Sequence, residues 1–339
     1  MNYAQEKKIL QTKKRKLKIA GVIVGVVLLA IFAMLGGVYA ITSWKYKVGK
    51  PKLSARGEGE MRMHFIDVGQ GDCTILELPD GKIALIDCGS GTVDSNKAVL
   101  RYLNALKVDE IDYLIVTHAD SDHAGGASEI LKYKQVKRVF LPLATPNNHE
   151  YDLLLAAVLQ SGTAYSMVCP PDPSRVETFM SVTDGEYPYT LAFLYPTTEM
   201  VDNGFDELKD NELSAVVWLD YQGVSTLFTG DAPTQTENKL ILDDTLGLFE
   251  LYGVTLSQTE ILKVSHHGSD DATSQLLLDY LHAQTAIISC GENNEYSHPD
   301  EAVLKRLTDA GVDVYRTDKQ GTIVITVSNT GEYQAFSPN

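Results

Sequence analysis

Four side chains able to bind a metal, His118, Asp120, Asp122 and His123, fall within six residues of the run Thr117-His-Ala-Asp-Ser-Asp-His-Ala-Gly-Gly126. Imidazole nitrogens and carboxylate oxygens packed this densely are the ligand types that hold Zn2+ and related divalent cations. The run follows an apolar strand pattern, Tyr113-Leu-Ile-Val116, so the four groups sit on the loop leaving a strand end, where a sheet can aim them at one point. A merely solvated acidic loop would need neither two histidines nor the close packing signalled by Gly125-Gly126.

Three further elements place ligand types at strand ends. Asp87 closes Leu85-Ile-Asp-Cys-Gly89, Asp231 closes Leu227-Phe-Thr-Gly-Asp231, and Ile261-Leu-Lys-Val-Ser-His-His-Gly-Ser269 ends its strand in His266 and His267. Each alone is weak, because an Asp beside Gly often caps a turn and paired histidines can be surface residues. Together they supply His118, Asp120, Asp122, His123, Asp231 and one of the two late histidines, the inventory of a centre for two divalent metal ions with one bridging carboxylate. Two such cations lower the pKa of a shared water and neutralise charge growing on phosphoryl oxygens, which suits phosphodiester hydrolysis.

The elements that must position these groups alternate along the chain. Met63–Val68, Cys73–Leu78 and Ile83–Asp87 read as strands, and the last two are joined by a tight turn centred on Asp80-Gly81 that would set Cys73 opposite Cys88, as two buried thiols or a bridge. A helix is expected over Ser95–Leu106, a strand over Val139–Leu141 and a helix over Tyr151–Gln160. Later strands are expected at Thr190–Leu194, Ala215–Leu219, Ser225–Phe228, Ile261–Val264, Ala286–Ser289 and Thr322–Val327, with helices at Thr273–Leu281 and Pro299–Ala310. Polar, proline-bearing Pro170–Glu186 reads as a loop or pocket border. The simplest organisation is one layered α/β domain over 61–339.

Ahead of it, residues 19–41 carry no charge and as a helix would reach roughly 35 Å, enough to span a bilayer core. Seven Lys and Arg against Glu6 fill residues 1–18, a basic tail that the positive-inside bias keeps cytoplasmic, so everything after Trp44 is expected outside. Val38-Tyr-Ala40 resembles a signal-peptide cleavage site, but the length of the run and the interfacial Tyr39 and Trp44 favour a retained transmembrane anchor over 19–44, followed by a spacer over 45–60. Residues 19–339 hold 22 basic and 44 acidic side chains, a net charge of −22 that disfavours nonspecific binding of polyanions unless metals and a local basic groove overcome it.

Phe65-Ile-Asp-Val-Gly-Gln-Gly-Asp72, His118-x-Asp-x-Asp-His-x-Gly-Gly126, Asn211-x-x-Ser214, Thr229-Gly-Asp231, His266-His-Gly-Ser269 and His298-Pro299 together resemble the metallo-β-lactamase superfamily. More narrowly, they resemble the hydrolase domain of the ComEC competence family and its stand-alone relatives. The resemblance implies a four-layer αββα sandwich with two metals along one edge of the paired sheets. It assigns one metal to His118 and Asp120 and the other to Asp122, His123 and a late histidine, with Asp231 between them. Comparison with the family's usual Gly-His-Gly makes His267 the expected ligand and leaves His266 to meet a substrate oxygen. Asp120 stands where most members have a second His, and Asn211 where a third-motif His is usual, so oxygen replaces nitrogen and Zn2+ or Mn2+ both fit the set.

Asp122 and Asp231 would orient the attacking water, while His266 and His298 would bind non-bridging oxygens or protonate the leaving group. Asp67 and Asp72 flank Gly69-Gln-Gly71, whose Gly71 reads as a close backbone approach; the two acids are expected to be structural or to support a ligand. Asp87 is expected to orient a ligand histidine. Arg316 suits either a phosphate contact or a structural ion pair, whereas His64, His149 and His282 have no motif context. The substrate implied is a phosphodiester, either DNA or a teichoic acid whose cationic choline would suit the acidic domain; a non-catalytic domain binding a surface polymer is the remaining reading.

Overall fold

The computed structural model describes residues 3–32, 43–49, 51–145, 147–168, 185–197, 209–250 and 253–338. The chain divides into two units, Met1–Gly49 and Lys50–Asn339. In the first, helix α1 (Tyr3–Phe32) runs through the basic stretch into the start of the apolar run. Among the described residues no helix is long and apolar enough to cross a membrane, and residues 33–42 of the expected anchor lie outside them.

The second unit is built on β-branched and aromatic runs that pair into two sheets. The first sheet has the order β14-β13-β1-β2-β3-β4-β5-β6. Its strands are β1 (Met61–Phe65), β2 (Thr74–Glu77), β3 (Ile83–Ile86), β4 (Glu110–Ile115), β5 (Gln135–Leu141), β6 (Ala164–Met167), β13 (Ile323–Val327) and β14 (Tyr333–Phe336). The second sheet has the order β12-β11-β10-β9-β8-β7, formed by β7 (Tyr189–Tyr195), β8 (Val216–Tyr221), β9 (Val224–Phe228), β10 (Ile261–Lys263), β11 (Thr285–Ile288) and β12 (Asp313–Arg316). Neighbours from β3 to β6 and from β9 to β12 run parallel, so their C-terminal ends deliver successive loops to one edge, where α/β folds build their sites.

The two sheets share a core. Met63, Phe65, Ile86 and Ile115 of the first sheet join Leu191, Phe193, Leu219 and Phe228 of the second in one buried cluster. The other face of the second sheet, including Trp218, Leu227 and Leu262, packs with Leu240 of α5 (Thr234–Thr245), Leu277 and Leu281 of α6 (Gln275–Leu281) and Val303 and Leu307 of α7 (Glu301–Asp309). Helices α2 (Val93–Ala105), α3 (Ala127–Tyr133) and α4 (His149–Ser161) accompany the first sheet, α3 packing on β5. Each side chain so buried contributes about 1.5–3 kcal/mol, which holds the strand ends that carry the polar residues.

The turn after β2 departs from the expected one. Leu78 pairs with Lys82 around three loop residues, Pro79-Asp-Gly81, with Gly81 at φ +87°, rather than two. The ladder runs Thr74↔Ile86, so its next pair would set Cys73 opposite Asp87, not Cys88; a one-residue change in the loop shifts every partner. Cys73 and Cys88 are separate buried thiols. Several elements had no clear sequence signal: edge strands β6 and β14 are half exposed, and α5 starts after Pro233 without a side-chain cap. Most of the Pro170–Glu186 border lies outside the described residues.

Candidate metal centre

The chain leaves β4 at Ile115 and enters a single helical turn, Ser121–Ala124, whose N-cap residue is Asp120. The Asp120 carboxylate makes no capping hydrogen bond, which leaves it free to face His118, 3.8 Å from its Nε2. Gly125 and Gly126 allow the turn to pack on the backbone after β3: added Cβ atoms would meet Ser90 O at 2.6 Å and Cys88 O at 2.0 Å. Gly71 does the same on the other side, where a Cβ would fall 2.4 Å from the carbonyl oxygen of Asp122.

Asp87, at φ +62° just past β3, organises both histidines of the turn. It accepts from the Thr117 N–H and hydroxyl, each at 2.8 Å, and from His123 Nδ1 at 2.8 Å. With its own proton on Asp87, the Thr117 hydroxyl accepts from His118 Nδ1, 3.1 Å away. Both rings thereby turn Nε2 away from Asp87, the orientation that outer hydrogen bonds impose on metal-binding imidazoles.

The second sheet supplies the opposite wall. Gly230, at φ +53°, fits against Thr117 and Ser214, and Asp231 follows it, its N–H donating to Ser214 Oγ at 3.2 Å. After β10, His266 and His267 both adopt left-handed backbone conformations, φ +49° and +55°. Such conformations in non-glycine residues cost on the order of 1–3 kcal/mol each and occur where surrounding structure enforces them. They separate the two rings. His267 sends Nδ1 to Ser289 O at 2.9 Å and Nε2 to within 3.1 Å of Asp122 and 3.3 Å of His123 Nε2. His266 donates from Nδ1 to Asp271 at 2.9 Å, with Nε2 3.5 Å from the Asn211 amide and 3.7 Å from Asp231.

Asp231 is the hub: its carboxylate lies 3.2 Å from His123 Nε2 and 3.7 Å from the Nε2 atoms of His118, His266 and His267. Burial opposes its charge, but His123, His267 and His118 outweigh that and hold its pKa well below the ordinary range. Burial likewise opposes a charged His267, yet Asp231, Asp72 and Asp122 raise its pKa to about 10; in Asp122 burial is overcome by His267 and His123, which bring it to about 2. His118, lowered by burial and by His123, stays neutral. His118 Nε2 is buried without a hydrogen-bond partner, 3.7 Å from Asp231 Oδ2. An unpartnered buried imidazole nitrogen beside the Asp231 carboxylate, two more histidines and two more carboxylates fits a divalent cation, whose binding would displace the protons on the imidazoles.

Asp72 comes near the group, for one ligand atom each from Asp72, His123, Asp231 and His267 lie within 4.8 Å of one another. Asp72 nevertheless approaches His267 on its Nδ1 side, at 3.4 Å, and its other oxygen is 2.8 Å from the buried Lys263 ammonium. It therefore orients His267 rather than sharing the face turned to Asp122. Sequence reasoning passed over Lys263, Thr117, Asp271 and the Ser289 carbonyl; the signal for Lys263 is a lysine inside the apolar strand Ile261-Leu-Lys-Val264.

Of the other candidate residues, His298 packs edge-on to His266 at 5.6 Å and has a buried Nδ1 without a partner. Ser269 donates its N–H to His266 O at 2.8 Å, closing that loop. Two stay apart from the cluster: Asp67 accepts from the Gly69 N–H at 3.2 Å, and Arg316 forms a two-pronged pair with Asp318 at 2.9 and 2.7 Å, the structural alternative for that residue.

Residues 66–204 match the metallo-beta-lactamase superfamily. The chain is 31% identical over 307 residues to ComE operon protein 3 of Bacillus subtilis, covering 85% of this chain and 35% of that protein. It is also 31% identical over 245 residues to Recombination protein 2 of Haemophilus influenzae, covering 71% and 26% respectively. A solved diphosphatase of the PhnP family is similar with a TM-score of 0.41 and 14% identity, over 82% of this chain and 98% of that one. The chain thus spans about a third of the length of the curated relatives it matches.

Proposed function

We propose, from the premise that this chain carries a metallo-β-lactamase domain related to competence proteins, that it is a metal-dependent phosphodiester hydrolase tethered to a membrane by its N-terminal helix. The observation that carries the reading is the hub at Asp231, a buried carboxylate with four imidazole nitrogens within 3.7 Å, one of which, His118 Nε2, has no hydrogen-bond partner.

Two divalent cations, Zn2+ or Mn2+, would be held by His118, Asp120, Asp122, His123, Asp231 and His267, and when bound they supply Lewis-acid stabilisation of phosphoryl oxygens and an activated water. The remaining steps fall to the chain itself. Asp87 and the Ser289 carbonyl hold the His123 and His267 rings in one tautomer. Asp122 and Asp231 present carboxylate oxygens to the attacking water. Asp271 fixes the Nδ1 proton of His266, so Nε2 is the atom aimed at a phosphoryl or leaving oxygen, with Asn211 beside it. His298, next to His266, is placed to hold a second oxygen. The expected result is hydrolysis of bis(4-nitrophenyl) phosphate that chelation abolishes and Zn2+ or Mn2+ restores; turnover unchanged by chelation would refute a metal-dependent reaction.

Tethering rests on the uncharged run 19–41 and on helix α1, where Val22, Val24 and Leu29 are exposed around its circumference. With the basic residues on the N-terminal side, the catalytic unit would lie outside the cytoplasm. Protease added to wall-free cells should digest the domain after Trp44; protection would reverse the orientation, and a soluble product starting near Ile41 would replace the anchor by a cleaved leader. The competence and recombination names of the relatives point to DNA as substrate, and the net charge of −22 points instead to a cell-surface phosphodiester such as a teichoic acid.

A further inference from the structure

Beside the metal centre, and touching it through Asp122, lies a cavity of about 590 Å3 that none of the steps above uses. Its walls come from the loop after β1, the start of α2 and the loop after β11. Among the described residues no lysine or arginine lines it; it is lined instead by carboxylates (Asp67, Glu295), amides (Gln70, Asn294), serine hydroxyls and the ring of Tyr296. Ser95 also lines the cavity wall, its hydroxyl buried against Gly89. Tyr296 is 58% exposed and stacks on His298 at 5.7 Å, and His298 in turn packs on His266 at 5.6 Å, so a row of rings links the cavity wall to the side of the centre where His266 stands.

We infer that this cavity is the subsite for an uncharged, hydroxyl-rich group, a glycosyl or polyol unit, esterified to the phosphate that is cleaved. The inference rests on the phosphodiesterase reading and names the substrate class for it. Carboxylates and amides accept and donate hydrogen bonds to adjacent hydroxyls, and the exposed tyrosine face offers a platform for the apolar side of a sugar or polyol. A second phosphate is the wrong occupant. Carboxylates there would repel it, and among the described residues no cation on the wall offsets that cost, whereas proteins that track a nucleic-acid backbone line the path with Lys and Arg.

The test uses the full chain in detergent and two ligands, bis(glyceryl) phosphate and an oligodeoxythymidylate, with calorimetric binding read separately from turnover of bis(4-nitrophenyl) phosphate. The expected result is at least about tenfold tighter binding of the polyol diester per phosphodiester than of the oligonucleotide. In Asp67→Asn/Glu295→Gln, binding of the polyol diester should weaken by about tenfold, while the oligonucleotide gains or stays level. Tighter binding of the oligonucleotide by the unaltered chain, or equal losses for both ligands in the double variant, overturns the inference. Polyol binding that follows the expected pattern without turnover of bis(4-nitrophenyl) phosphate supports the subsite and overturns the phosphodiesterase reading instead.

Discussion

Asp231→Ala should lower the bound divalent metal from about two ions per chain to less than one and cut turnover of bis(4-nitrophenyl) phosphate by at least about 10^3-fold, on the order of 4 kcal/mol in barrier. Among the described residues Asp231 is the one carboxylate placed within 3.7 Å of His118, His123, His266 and His267 at once, so its removal takes away the anion their Nε2 atoms share. Asp231→Asn separates charge from volume: it keeps the shape, and the Ser214 contact to the backbone N–H, while removing the anion. Both variants should behave alike in metal content. Full occupancy in either, measured by elemental analysis after dialysis, would remove Asp231 from the ligand set.

His267→Ala should lose metal, whereas His266→Ala should keep it and lose about 10^2 to 10^3-fold in kcat, about 2.7–4 kcal/mol. The difference follows from where each Nε2 points. That of His267 meets Asp122, His123 and Asp231, the groups proposed to hold the cation in the resting protein. That of His266 faces Asn211 and Asp231, where in the proposed reaction charge would develop only in the transition state. An exchange of the two phenotypes would exchange the roles. Full activity in both variants would place the chemistry elsewhere.

The strand-end groups were legible before any coordinates. His118, Asp120, Asp122, His123, Asp231, His266 and His267 follow apolar strand runs, and the structure gathers them, with Asp87 behind two of the rings. The supporting residues were less legible because they carry ordinary signals. A threonine before a histidine, a carbonyl at Ser289 and a lysine within Ile261-Leu-Lys-Val264 look locally like any others. Arg316 had two readings that its neighbour Asp318 distinguishes only when the chain is folded. Cys73 and Cys88 illustrate the limit of turn chemistry: Asp80-Gly81 announces a hairpin, but loop length sets the register, and three residues instead of two move the partner.

What the sequence by itself determined is therefore most of the buried elements and the ligand types at their ends, because hydrophobic period, glycine placement and residue type are properties of short stretches. Only the tertiary structure decided which ends meet. His123 and His267 are 144 residues apart in the chain and follow strands of different sheets, and their Nε2 atoms come within 3.3 Å because the two sheets close over one apolar core with their parallel strand ends on the same edge. The acidic cavity beside them is likewise assembled from four separate segments, and no local pattern could specify it, since its charge and shape depend on which side chains the packing turns toward the same space.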